Sequence, residues 1–391
     1  MGFFKRLFTP EQRALGSEYY EMFASGPTAA GIAVTPERAR AHPVVFGCLQ
    51  VLAQDVARTP IKFRRREGES LIDAEDHPLF ELLATLPNPE MTAYQVKHAL
   101  MWQLLTHGRA FAEIVRVDGR VVALWPLESE HMRVDRDEQR RKRWTYMAGG
   151  TMHTWTFDAS QPPIFELVTE SPLVRCRDLI GTAVALQTYV ARFFANGGRP
   201  TGVLKAAGIL KPSQLQALRE SWRAIYASPE NSHKVAILDN GVDFTPVAPV
   251  NDEAQLVETL QAVTTMICGA FRVPPWKVGD LSKANYSNMA AGELAYVTST
   301  LDPYFQAWEE AIRRDLLTTR QYGRFSVLFD RSALIRSDVQ AQHMALATGL
   351  QNGLYSVNEA RRMLGLNPIA DGDTYRVNSA LVAAADAGGG N

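Results

Sequence analysis

The sequence predicts an α+β fold, and three observations carry that reading. Apolar residues alternate with period two in some stretches and recur at steps of three and four in others, the marks of half-buried strands and amphipathic helices. Two long helical patterns, over 172–196 and 251–271, bracket a small unit patterned β-α-β-β. The stretch FRVPPWKVGDLSKANYSN, residues 271–288, then sets a long polar loop with two adjacent prolines between two strong helical patterns. A loop of that length inside a compact domain is usually either functional or without fixed structure.

Residues 1–30 end in SGPTAAG, a linker composition, and are expected to form an arm without fixed structure. HPVVFGCLQVLAQDVART then carries Val45, Leu49, Leu52 and Val56 at helical spacing. PIKFRRREGES reads as a strand running into a charged turn, and HPLFELLATLPNP as a short helix stopped by Pro87 and Pro89. Thr92 and Gln95 form a capping-box pair that opens a helix through Leu100, Leu104 and Leu105 to Gly108. AFAEIVRVDGRVVALWPL is a hairpin about Asp118-Gly119, a strong two-residue turn signal. HMRVDRDEQRRKRWTYMAGGTMHTWTF continues as antiparallel strands, with the basic run Arg140–Arg143 at a solvated tip beside Asp135, Asp137 and Glu138.

From residue 172 the pattern becomes helical. SPLVRCRDLIGTAVALQTYVARFFANGG reads as one helix with Leu179, Val184, Leu186, Tyr189, Val190 and Phe193 apolar and Gly197 just past its end. TGVLKAAG is a strand, and Ser213 and Gln216 cap a helix through Leu218, Trp222 and Ile225. KVAILDNGVDFTPV is a hairpin turning on Asn240-Gly241. Asp252 and Gln255 cap the second long helix, which sets Leu256, Leu260, Val263, Ile267 and Ala270 on one face. After the loop, a helix over 289–317 repeats Leu294, Val297, Leu301, Phe305, Trp308, Ile312 and Leu316 at steps of three and four. Pro303 removes a ladder bond and clashes with the preceding turn, so a kink is expected near Leu301. RFSVLFD is a strand; in SVNEARRMLGLNP, Ser356 and Glu359 form a capping box, Gly365 stops the helix and Pro368 blocks its continuation. AAADAGGGN is expected to be a tail without fixed structure.

Composition excludes several classes. With 41 basic and 42 acidic residues the formal net charge is -1, so the chain is no polycation that would clamp nucleic acid. Cys48, Cys176 and Cys268 are far apart in apolar, helix-like contexts and read as buried thiols, because neither disulfide nor zinc spacing is present. No apolar run approaches the ~20 residues that span a bilayer. The opening MGFFKRLF lacks a secretory core, and Arg6 stands where a myristoylation motif wants Ser or Thr. There is no phosphate-loop motif, nucleophile elbow or His-Glu-x-x-His. His98 and His107 share a helix but point about 180° apart, and the carboxylate pairs Glu309-Glu310 and Asp371/Asp373 read as a solvated face and a turn. Neither a metal, a cofactor nor a catalytic centre is expected.

The order of eight motifs is similar to that of bacteriophage portal proteins of the HK97 type, a group that includes prophage and gene transfer agent portals. They are HPLFELLATLPNP, LLTHGRAFAEIVR followed by LWPL, SPL at the first long helix, FFANGGRPTGVL, FRVPPWKVGD, YSN, and NGLYSVNEARRMLGLNP ending in GD. The resemblance runs from about residue 40 to 380. It implies a ring, dodecameric in that family, at one capsid vertex, through which double-stranded DNA is packaged and ejected without sequence recognition. The resemblance makes residues 31–171 the wing, 172–196 and 251–271 the two stem helices, and 197–250 the clip between them. Residues 272–288 become the tunnel loop, 289–331 the kinked helix and a wing strand, 332–382 the crown, and 383–391 the tail.

Partners implied by the resemblance are further copies of the chain, the major capsid protein, the large terminase subunit, a head-tail adaptor and DNA, in a virion. On that reading Lys277 and Lys283 meet phosphates, Ser282 and Asn285 offer weaker hydrogen bonds, Asp280 limits the grip, and Gly279 to Ser287 is the moving part. Trp276 is expected to pack on a neighbouring helix. Arg199, Lys205, Lys211 and Lys234 are the candidate docking residues of the clip, and Pro303 marks the bend. A head-tail connector, a DNA-processing enzyme and a cellular scaffold stand as alternatives. The first is usually shorter and lacks the stem-clip-stem order, and the second requires a carboxylate cluster or a phosphate loop.

Overall fold

The fold comes from a computed structural model that describes residues 27–195, 202–206, 211–213, 215–217, 220, 242–246, 253–282, 286–318, 320–335 and 339–375. The expected arm and tail, Arg199, Lys234, the Asn240-Gly241 turn, the Asp252 cap, Lys283 and Asn285 lie outside the described residues. The chain divides into two units, residues 1–330 and 331–391.

The first unit begins with α1 (Pro36–Arg40), whose Thr35 side chain accepts from the Arg38 N–H, and α2 (Pro43–Arg58). Both carry proline in the first turn, where its missing N–H costs nothing. β1 (Ile61–Glu67), β2 (Ser70–Asp73), α3 (Pro78–Ala84) and α4 (Ala93–His107) follow. The reciprocal Thr92–Gln95 box opens α4, and left-handed Gly108, with φ 75°, closes it. β3 (Arg109–Val117) and β4 (Arg120–Leu127) form the expected hairpin. Asp118 and Gly119 both have positive φ, as a two-residue hairpin turn that matches strand twist requires. β5 (Met132–Arg136), β6 (Lys142–Ala148) and β7 (Thr151–Thr156) form an antiparallel sheet, while β8 (Ile164–Val168) pairs with β3.

Next come α5 (Pro172–Arg175), α6 (Arg177–Ala195), the paired strands β9 (Gly202–Ala206) and β10 (Val242–Pro246), and α7 (Glu253–Phe271). α8 (Tyr286–Tyr296), a π-helical segment (Val297–Leu301) and α9 (Asp302–Asp315) form the kinked-helix region. β11 (Phe325–Phe329) then joins β1, giving the sheet order β11-β1-β2.

The core lies where α2 packs on α4, α4 on β3, and α9 across β8 and β11. Leu49, Leu52, Leu100 and Leu104 are fully buried, each contributing about 1.5–3 kcal/mol of burial. Phe305 of α9 stacks on Phe329 at 4.8 Å, and Trp308 tilts onto Phe165 at 5.5 Å with its indole N–H donating to Met101 Sδ at 3.1 Å. At the end of α9 the Arg314 guanidinium donates to the Glu166 carbonyl at 2.7 Å, and Asp315 accepts the Glu166 N–H at 3.2 Å. These bonds fasten the helix to β8.

Several expectations change. The helix read over 172–196 breaks at Cys176, whose ψ of 24° leaves the α region, so α6 starts anew with the Ile180 N–H on the Cys176 carbonyl. The charged turn after β1 is a hairpin leading into β2, which escaped notice because all four of its residues are exposed and show no alternation. The helix after the loop starts at Tyr286 rather than Met289. Leu294 is 48% exposed, whereas Val297, Leu301, Phe305, Trp308, Ile312 and Leu316 are buried. A π turn carries an extra residue, and it rotates the inward face of α8 from Leu294 to Tyr296 and Glu293. The register change immediately precedes Pro303, with the Asp302 N–H bonding the carbonyl of Val297 five residues back. On α7 the buried face is Val263, Ile267, Cys268 and Phe271, while Leu260 of the expected stripe is exposed with Val257 and Met266. Cys48 and Cys268, remote in sequence, meet across α2 and α7; the hydrogen bond with the Cys268 thiol, and then burial, push the Cys48 thiol up.

In the second unit, α10 (Ser332–Ile335), α11 (Val339–Gln351) and α12 (Val357–Met363) follow in order. The Ser356–Glu359 box caps α12, and the Asn358 side chain holds both the N–H (2.8 Å) and the carbonyl (3.0 Å) of Ile369. Gly365, at φ 72°, turns the chain out of the helix as expected.

Candidate functional site: the loop after the second long helix

α7 ends in a two-bond terminal turn. The Val273 N–H bonds the Cys268 carbonyl at 2.9 Å and the Arg272 N–H bonds that of Gly269 at 3.1 Å, which places Arg272 in the left-handed region at φ 54°. An arginine there costs on the order of 1 kcal/mol that glycine would not. The Thr300 hydroxyl holds the Arg272 carbonyl at 2.9 Å, which helps to keep this exit. Pro274 is extended, and Pro275–Val278 form one 3-10 turn. Left-handed Gly279, φ 93°, ends that turn, and the Asp280 N–H bonds the Pro275 carbonyl at 3.0 Å. Asp280 Oδ1 then accepts the Ser282 N–H at 3.0 Å.

The first half of the loop is clamped between α2 and α8. A Cβ on Gly292 would lie 2.4 Å from the Trp276 ring, so α8 has a glycine where the indole sits against it. Val278 presses on Gly47 of α2, where an added Cβ would be 3.2 Å from Val278 Cγ1. Between these contacts the Lys277 ammonium pairs with Glu293 at 2.8 Å and Asp55 at 3.5 Å, and lies 4.6 Å from the centre of the Tyr296 ring. Tyr296 donates its hydroxyl to Asp55 Oδ2 at 3.0 Å, and Arg58 pairs with Asp55 at 2.8 Å. Burial, together with the Asp55 charge, pushes the Tyr296 phenol up, so it stays a neutral donor.

The expected site residues therefore separate. Lys277, with its side chain 15% exposed and its charge matched by two carboxylates, is turned into the protein and is not free for a phosphate. Sequence reasoning missed Asp55, Glu293 and Tyr296, which no local signal marks. Trp276 packs on α8. Gly279 and Ser282 are exposed and Asp280 half-buried, with Leu281 64% exposed between them. Of the residues expected to dock partners, Lys205 lies in β9 opposite Asp243 of β10, and Lys211 is exposed just before a helical stretch that starts at residue 212, one residue ahead of the expected Ser213 cap.

Among the described residues one trio, Glu128, Glu130 and His131, brings possible metal-ligand atoms within 4.8 Å of one another. All three are exposed and His131 pairs with Glu128 at 2.8 Å, an arrangement common on surfaces without an ion. No described helix is long and apolar enough to cross a membrane.

Comparison with known proteins accounts for this architecture. The family model described as phage portal protein matches residues 43–365. The portal protein of Enterobacteria phage HK97 is 26% identical over 398 residues, covering 98% of this chain and 91% of its own. The probable portal protein of Streptomyces phage phiC31 is 28% identical over 379 residues, covering 89% of this chain and 80% of its own. A structure of the neck of a native gene transfer agent particle, computed with C12 symmetry, aligns at 23% identity over 88% of this chain and 95% of its own, with a TM-score of 0.58. The crystal structure of an HK97 family phage portal protein from Corynebacterium diphtheriae aligns at 18% identity over 78% of this chain and 99% of its own, also with a TM-score of 0.58. With a family match that runs from α2 to the end of α12, the chain belongs to the phage portal protein family.

Proposed function

We propose that this chain is a subunit of a portal ring at one capsid vertex of a virion, a channel for packaging and ejecting double-stranded DNA and a structural rather than catalytic component. The carrying observation is the family match over residues 43–365. Two features support the ring. α6 and α7 pack side by side, each of 19 residues and so about 28 Å long, a length suited to lining a channel. Val257, Leu260 and Met266 expose apolar surface on the outer face of α7, which a neighbouring copy would cover. We take twelve copies as the working stoichiometry, from the C12 symmetry of the gene transfer agent neck.

Within that ring, Gly279, Asp280, Ser282, Lys283 and Asn285 face the bore, while Lys277 anchors the loop. A net charge of -1 suits a bore that must let DNA slide, because each phosphate neutralised by a cation adds affinity. The clip, residues 197–250, meets the large terminase subunit and later a head-tail adaptor through Arg199, Lys205, Lys211 and Lys234, and the wing faces the major capsid protein. Electron micrographs of the purified protein test the central claim: rings with a central hole, counted as twelve subunits, are expected. A stable monomer at micromolar concentration overturns it.

A further inference from the structure

A concavity of about 440 Å³ beside β11 has a rim of mixed charge, and a second of about 330 Å³ beside α3 has Arg120 as its one cationic guanidinium. A third, of about 300 Å³, differs in chemistry. It opens at the tip of the β5-β6-β7 sheet, with Arg136, Arg140 and Lys142 at its rim and Trp144, Phe157 and Ile164 among the side chains beneath.

Its positive charge is only partly matched. Lys142 pairs with Glu166, Arg314 with Asp315 at 2.6 Å, and Arg141 with Asp137 at 2.8 Å. Arg136 donates to the Arg140 carbonyl at 2.7 Å, and among the described residues no carboxylate pairs with the Arg136 or Arg140 guanidinium. Trp144 is 2% exposed, yet its indole N–H has no acceptor. A buried donor left unmatched costs about 1–3 kcal/mol, which a ligand oxygen would recover.

We propose that this pocket binds a short acidic segment of a partner protein, one carboxylate meeting the Arg136–Arg140 rim, a further oxygen of the segment accepting from the Trp144 indole N–H, and an adjacent apolar side chain resting on the half-buried Phe157. Charge complementarity selects an anion, and the aromatic wall selects a peptide over a bare phosphate. Glu166 and Asp315 at the base also disfavour a group of higher negative charge. Duplex DNA presents its phosphates on a convex surface and would touch only the rim, leaving Trp144 unmatched. The assignment is independent of the channel reading, and its main test uses no DNA.

The experiment is fluorescence anisotropy of a labelled hexapeptide alternating Glu and Phe, titrated with the full-length protein. Saturable binding is expected. Arg136→Ala/Arg140→Ala, at exposed positions, should weaken it about tenfold through loss of charge-assisted bonds. Trp144→Phe, which removes the indole N–H together with part of the ring, should weaken it severalfold when binding is read well below the variant's own melting temperature. Arg361→Ala/Arg362→Ala, which removes as much charge elsewhere, should leave binding unchanged. Undiminished affinity in the Arg136/Arg140 variant, equal binding of a hexapeptide alternating Lys and Phe, or displacement of the peptide by an equimolar DNA duplex would each overturn the proposal.

Discussion

Replacing Lys277 with methionine separates two roles that the residue could have. Met keeps the side chain's apolar stem beside Tyr296 and removes only the cation. At an effective dielectric of about 20, contacts of 2.8 Å to Glu293 and 3.5 Å to Asp55 each represent roughly 5 kcal/mol of attraction, set against several kcal/mol of lost hydration. Removing one partner from a buried pair costs about 3–5 kcal/mol. Here the Glu293 side chain is 20% exposed and Arg58 still serves Asp55, so about 2–3 kcal/mol is expected. For a unit of 330 residues that corresponds to a melting temperature lower by about 3–4 °C. Lys277→Arg should restore most of it. In Lys277→Met/Glu293→Gln the loss should be smaller than the sum of the single losses, because the two share one contact. The assay is thermal unfolding at fixed protein concentration, alongside DNA retention in assembled particles. Were Lys277 a phosphate contact instead, Lys277→Met would melt with the wild type and alter retention alone; that outcome would refute the anchor.

Four further outcomes are expected. Trp308→Ala should cost about 3–5 kcal/mol, since the ring is 2% exposed between Phe165 and Phe329; a loss below about 1 kcal/mol would contradict the packing. Lys97 is 7% exposed, donates to the Thr59 carbonyl at 3.0 Å, and burial pushes its ammonium down to about 8. Its folded value lies below the unfolded one of about 10.4, so the unfolded chain binds more protons between those pH values; stability should rise with pH across that window by up to ~3 kcal/mol. Lys97→Met should remove that rise and stabilise the protein at pH 7 by about 1 kcal/mol once the lost hydrogen bond is subtracted, and equal pH profiles of the two proteins would exclude the mechanism. Replacing residues 279–285 with a shorter Gly-Ser linker should leave rings intact but impair packaging or let DNA leak, and wild-type retention from well-formed rings would remove the loop from the bore. Glu at Arg199, Lys205, Lys211 and Lys234 together should weaken terminase binding in a pull-down without dissolving rings; undiminished binding counts against the clip assignment.

What could be read from the sequence was local. The Thr92–Gln95 and Ser356–Glu359 boxes and the Asp118-Gly119 turn depend on residues within a few positions of each other. Their chemistry is therefore written in consecutive letters. Lys277 could not be read this way: it is polar, sits in a loop, and finds Asp55 across 222 positions. Counting apolar residues at 3.6 per turn placed Leu294 inward, since that count has no means of registering a π turn. Leu260 carries the opposite lesson: it lies on the apolar stripe read along α7 yet is exposed in the single chain, because apolar patterning marks a face without saying what covers it.

The π segment Val297–Leu301 acts on the loop beyond the one hydrogen bond from Thr300 to the Arg272 carbonyl. One surplus residue there puts α8 and α9 out of phase by roughly 100°, the angular step of one helical residue. Deleting Thr298 would let the two helices run on as one regular α-helix. The α8 half would then turn about its axis, carrying Leu294 toward the interior and swinging Glu293, Tyr296 and Gly292 away from Lys277 and Trp276. The loop's grip is thus set by angular phase, and a deletion that removes no contacting side chain would still release it.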